Sequence, residues 1–162
     1  MSFSTLTRLT LALALCASPT SAAAQSTEDP TASLSPALRE TFVAEMRHLD
    51  TGLGSAVSAL AHADWAALEH TALEIKNSFI LKQRLSPEQK AELHRVLPPA
   101  FLALDRRFHA RAQRLADAAR SADAELAAFH VYRLTEACGS CHAQYAKHRF
   151  PGFHTAPAEH QH

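Results

Sequence analysis

Four stretches of this chain carry apolar residues at intervals of three and four, and each begins on a recognisable helix signal. The first runs from about Pro36 to Ala61, with Ser35 placed to cap it and Pro36 at the first helical position. Phe42, Met46, Leu49, Leu53, Val57 and Leu60 form its apolar stripe. Gly52 and Gly54 interrupt it, at about 1 kcal/mol each relative to alanine, and leave space for a neighbour or a cofactor to approach. The second stretch covers about Asp64 to Leu81, capped by Asp64 and striped by Trp65, Leu68, Ala72, Ile75 and Phe79. Ser86-Pro87-Glu88-Gln89 then reads as a capping box that starts a short helix ending before Pro98-Pro99. The third stretch spans about Ala100 to Arg120, with Phe101, Leu104, Phe108, Ala112, Leu115 and Ala119 on one face. Asp123 caps the fourth, about Ala124 to Lys147, and Pro151-Gly152 lies beyond its end. Glycine occurs only four times in 162 residues, which agrees with helix throughout. The expected fold is all-α, an antiparallel four-helix bundle.

Residues 1–24 have the layout of a cleaved secretory signal peptide. Arg8 gives the basic start, Leu9 to Ala17 the short apolar run, and Ala22-Ala23-Ala24 the small-residue cleavage site. That run is too short to cross a bilayer, and no later segment is apolar enough, so no membrane anchor is expected. Leu15 before Cys16 is unsuited to a lipid-attachment motif. The expected organisation is therefore a leader (1–24), a linker (25–35), one helical domain (36–150) and a tail (151–162), exported to the periplasm. Lysine plus arginine and aspartate plus glutamate both number 16. With no net charge and no basic stripe, nucleic acid is not an expected partner.

Without the leader, Cys138 and Cys141 are the remaining cysteines, and they stand in Cys138-Gly139-Ser140-Cys141-His142. C-x-x-C-H is the pattern of covalent c-type haem attachment. Two thiols three residues apart lie on one side of a helix and can each add to one haem vinyl group. His142 lies within about 40° of Cys138 around the helix, so its imidazole can reach the iron as an axial ligand. Three other chemistries use such cysteines. A thioredoxin-like pair belongs in a βαβ setting that these helices lack. A structural zinc site needs two further ligands. A plain disulfide is open to any exported protein.

A helical bundle with C-x-x-C-H near the end of its last helix resembles the class II cytochromes c, the cytochrome c′ group. The resemblance covers the chain from the first helix through Tyr145. Members continue the motif as C-x-x-C-H-x-x-[Tyr/Phe]-Arg. Tyr145 matches the aromatic, whereas Ala146 stands at the arginine place and the basic Lys147 follows one position later, so no role of that arginine is carried over. The resemblance places the distal residue on the first helix, and the stretch from Met46 to Gly54 fits with Met46 at that place. Some members bind iron through a methionine there and carry electrons. Others leave the iron five-coordinate and bind small gases such as NO and CO. Members often dimerise, so the resemblance also implies a possible homodimer.

Met46 stands out apart from any resemblance. It lies within the apolar stripe, whereas His48 falls about 200° around the helix and faces elsewhere. The alternative is that Met46 simply fills core space. His109, at the edge of the third stripe, and His130, on the same helix as His142, are rival ligands better read as hydrogen-bonding or surface histidines. His62, His70 and His94 read as solvent-facing, and His148, His154, His160 and His162 crowd the chain end. Arg47, Lys147 and Arg149 are candidate partners for haem propionates. Arg149 to Phe153 can fold back over the last helix, with Tyr145 and Phe150 packing near the haem edge or the bundle end. Lys82, Arg84 and Lys90 read as solvated surface. The expected function is one-electron transfer to an unknown redox partner by one covalent haem c, with His142 and Met46 as iron ligands. Gas binding is the alternative, and a haem-free exported protein with a Cys138–Cys141 disulfide a third. No acid, base or nucleophile constellation suggests an enzyme.

Overall fold

The computed structural model describes residues 29–78 and 84–154, and every regular element among them is helical. Five α-helices follow in order: α1 Pro36–Ala61, α2 Trp65–Asn77, α3 Pro87–Val96, α4 Pro99–Arg120 and α5 Ala124–Tyr145. Short 3-10 turns stand before and after them, at Pro30–Ser33 and Pro151–His154. Helix α1 packs on α2, α2 on α4, α4 on α5, and α5 on α1. The leader expected at 1–24 lies outside the described residues, as do Phe79, Lys82, His160 and His162.

Two tight turns join the helices in pairs, and they share one design. After α1 the Ala63 N–H bonds the Leu60 carbonyl and the Asp64 N–H bonds the Ala59 carbonyl. After α4 the Ala122 N–H bonds Ala119 and the Asp123 N–H bonds Ala118 in the same way. This is the Schellman arrangement, which needs a left-handed residue after the helix. Alanine occupies that place both times, at φ 53°. Each aspartate then caps the next helix: the Asp64 carboxylate accepts from Ala67 N–H at 3.0 Å and Asp123 from Leu126 N–H at 2.9 Å. The capping box before α3 also forms, with Gln89 N–H donating to Ser86 Oγ and Ser86 N–H to Gln89 Oε1.

Some expected details change. Ser35 does not cap α1 with its side chain. Its N–H and hydroxyl both donate to the Glu92 carboxylate of α3, at 2.6 and 3.1 Å, and thereby tie α3 to the start of α1. Helix α2 stops at Asn77 rather than Leu81, because Ser78 adopts a left-handed backbone (φ 60°). Helix α5 stops at Tyr145, two residues short of Lys147, and α4 begins one residue early at Pro99.

The buried face of α1 is rotated from the expected stripe. Leu38, Phe42, Glu45, Leu49, Gly52, Ala56 and Ala59 are buried, a four-and-three register along the helix. Met46, Leu53 and Leu60 are only partly buried on its flank, and Val57 is 50% exposed. Small residues at 52, 56 and 59 give the interior face because a close helix–helix approach favours them over larger side chains. The core accordingly divides in two. Near the tight turns it is rich in alanine, with Ala56, Ala72, Ala112, Ala116 and Ala127 beside Leu68, Leu115 and Leu134. At the other end it is built from Leu34, Leu38, Phe42, Leu85, Leu97, Phe101 and Tyr145. The candidate site lies at that end.

Candidate functional site

The last two turns of α5 present Cys138, Cys141 and His142, all partly buried. Both cysteines are free thiols. Cys141 packs against the aromatic core cluster, and so does Met46 from α1. Phe101 anchors that cluster: its ring meets Tyr145 edge-on at 5.1 Å and tilts against Phe42 at 6.0 Å. Of the residues expected from the motif and from the first helix, Cys141 and Met46 thus pack against the same core cluster. Asp50, one turn after Met46, is close enough to act electrostatically on both Cys138 and His142, so this stretch of α1 faces the end of α5.

Burial raises both thiols above their usual ionisation range. Cys141 is pushed up to about 11, first by desolvation and then by its neighbours Cys138 and Asp105. Cys138 moves the same way through burial and Asp50. A dithiol built for exchange has the opposite property, a thiolate stabilised at neutral pH. Burial also lowers the pKa of His142, against the opposing pull of Asp50, so the imidazole is neutral at pH 7 and a competent metal ligand. Phe150 lies flat on the His142 ring, with centroids 4.3 Å apart and planes 16° from parallel. Stacking occupies a ring face and not the in-plane nitrogens. Phe153 closes over the motif as well: a Cβ added at Gly139 would sit 4.0 Å from its Cζ. Residues 149–153 therefore do fold back over the end of α5.

A cavity of about 320 Å³ opens beside Met46, walled by Phe42, Leu49, Leu93, Leu97 and Phe101. No α5 residue lines it; Met46, Phe42 and Phe101 belong both to its wall and to the cluster that holds Cys141. Its polar side is built from residues outside the expected site. Glu45 and Ser78 are each 1% exposed, and the Ser78 hydroxyl donates to the Glu45 carboxylate at 2.6 Å. His109 is buried rather than at an edge; Nδ1 lies 2.7 Å from the Ile75 carbonyl and Nε2 3.3 Å from Asp105. Both nitrogens are engaged within the protein, which suits the hydrogen-bonding role expected of this residue. His130 is also buried, against Phe129, and burial lowers its pKa. His48, His62, His70 and His94 are exposed, as are Arg47, Arg84, Lys90 and Arg149. A sequence signal for Glu45 exists: it stands midway between Phe42 and Leu49 in the four-and-three register.

Among the described residues no group of three or more His, Cys, Asp or Glu side chains is arranged to hold a bare metal ion. No helix among them is long and apolar enough to cross a membrane. No protein-family model matches the chain, and no curated protein or solved structure gave a match.

Proposed function

We propose that this chain is an exported mono-haem c-type cytochrome of the class II kind, an antiparallel four-helix bundle that transfers single electrons in the periplasm. One observation carries the reading: Met46 from α1 and Cys141 of the C-x-x-C-H turn pack against the same core cluster. Cys138 and Cys141 would hold the macrocycle through two thioethers, His142 would bind the iron on one side, and Met46 on the other. The haem, when bound, supplies the one-electron couple. The chain's residues do the rest. Phe42, Leu49 and Phe101 exclude water, which favours the less charged state of a buried centre. Phe150 holds the His142 plane. A thioether ligand at Met46 raises the potential relative to a second histidine.

The cavity beside Met46 favours a second reading, in which a small gas binds there and Met46 is displaced or unbound. The absorption spectrum of the reduced protein, taken with and without carbon monoxide, separates the two. The electron-transfer reading expects a low-spin spectrum that carbon monoxide alters slowly or not at all. A high-spin spectrum with immediate carbon monoxide binding overturns it in favour of gas binding.

A further inference from the structure

Helix α5 turns one face to solvent along its first half. Leu126, Phe129 and Tyr132 are 43%, 52% and 61% exposed on it. The residues that α5 buries there, Ala127, His130, Val131 and Leu134, lie on the other side. Three bulky apolar side chains in a row differ from a scattered surface residue and mark a contact surface. The Phe129 ring is held from beneath, meeting the buried His130 ring edge-on at 5.3 Å. Phe129 also stands about 180° around the helix from Cys138, so whatever covers it leaves the C-x-x-C-H turn untouched.

The order of residues about Phe129 points to what covers it. Leu126 stands three places before it and Tyr132 three places after; Glu125 stands four before and Arg133 four after. All lie within about 60° of the Phe129 direction around the helix. Turned end for end, this face is its own complement: apolar meets apolar, and acid meets base. A two-fold contact has that requirement, since residue i meets j and j meets i. We infer that two copies of this chain pair through α5, antiparallel, about a two-fold axis at Phe129. Leu126 of each copy meets Tyr132 of the other, and Glu125 of each meets Arg133 of the other. Glu125 is exposed and has no ion-pair partner among the described residues. Arg133 already donates from Nη1 to Glu136 at 2.8 Å, and its planar fork carries further N–H donors for a second carboxylate. A parallel pairing is disfavoured, because it sets Glu125 against Glu125 and Arg133 against Arg133. One helix face is a small contact beside those of permanent complexes, so the dissociation constant should be on the order of micromolar. The pairing is the same with or without a haem, because Cys138 faces the other way.

Sedimentation velocity of the exported protein, from about 1 to 200 µM to span such affinities, is the test. The unaltered chain should pass from monomer to dimer as concentration rises. Phe129→Ser should stay monomeric with the same helical circular dichroism. Glu125→Arg and Arg133→Glu each set like charges against one another at both ends, and each should weaken pairing by about tenfold or more. Glu125→Arg/Arg133→Glu should restore it, because acid and base then face each other again. A monomer at every concentration overturns the inference, and if that monomer floats with phospholipid vesicles the strip belongs to a lipid surface instead. Dimers that survive Phe129→Ser or the single charge changes place the contact elsewhere and overturn it. Failure of the double charge exchange to recover pairing, with helical content intact, overturns the antiparallel register.

Discussion

Cys141 illustrates how one residue can report on the state of the whole site. Burial pushes its thiol up to about 11 from a usual 9.0. At pH 8 that leaves about a hundredth of the ordinary thiolate fraction. Alkylation of Cys141 in the folded, haem-free chain should therefore be on the order of a hundredfold slower than in the denatured chain, measured by mass spectrometry over time. A rate equal to that of the denatured chain would contradict the burial. The same shift has a stability consequence. The unfolded thiol ionises near 9 and the folded one near 11, so the folded state holds the extra proton between them. Stability of the haem-free chain should be intact below pH 9 and fall as pH rises from 9 to 11. A thioether does not titrate, so chemical denaturation of the haem-loaded chain should lack this alkaline loss. Ser78 is a second telling residue. Its hydroxyl bonds a carboxylate buried to 1% exposure, and hydrogen bonds to charged groups contribute about 1.5–3 kcal/mol. Ser78→Ala should lower stability by about that amount in urea denaturation.

Elements are legible in the sequence wherever a local signal suffices. Asp64, Asp123 and the Ser86–Gln89 box start their helices as their side chains imply. The end of α2 is not legible, because the left-handed Ser78 takes part in a long-range bond to Glu45 that no local pattern announces. Nor does hydrophobic size reveal the buried face of α1, since Gly52, Ala56 and Ala59 line the interior. Met46 remains beside the site despite that rotation, on the flank where the two core clusters meet. The paired turns give a prediction at this scale. Alanine in the left-handed region costs about 1–2 kcal/mol where glycine costs little. Ala63→Gly and Ala122→Gly should each raise stability by about 1 kcal/mol, offset partly by the greater freedom of the unfolded chain. Gly54 offers the converse: it is exposed and helical, and a Cβ added there would meet nothing within 4 Å. Gly54→Ala should stabilise by up to about 1 kcal/mol in thermal unfolding.

The whole molecule sorts its side chains by size. Alanine-rich packing lies beside the tight turns, and bulkier packing at the opposite end. That end is where α5 finishes in C-x-x-C-H, where α1 brings Met46, and where the cavity lies. That Cys138, Cys141 and His142 stand on the last turns of one helix is legible, since it depends on local pattern alone. What surrounds them is not: Glu45, Ser78 and His109 come together only through the folding of three separate segments. Leu126, Phe129 and Tyr132 leave an exposed apolar strip on α5, far along the helix from the motif. Covalent attachment of haem at Cys138 and Cys141, as proposed above, is tested most directly by extracting the exported protein with acidified acetone and recording the pyridine haemochrome of the pellet. The expected result is one haem per chain retained with the protein, with an α-band typical of two thioether links, and none in Cys138→Ser/Cys141→Ser. A pellet free of haem, from cells that mature other c-type cytochromes, would contradict it.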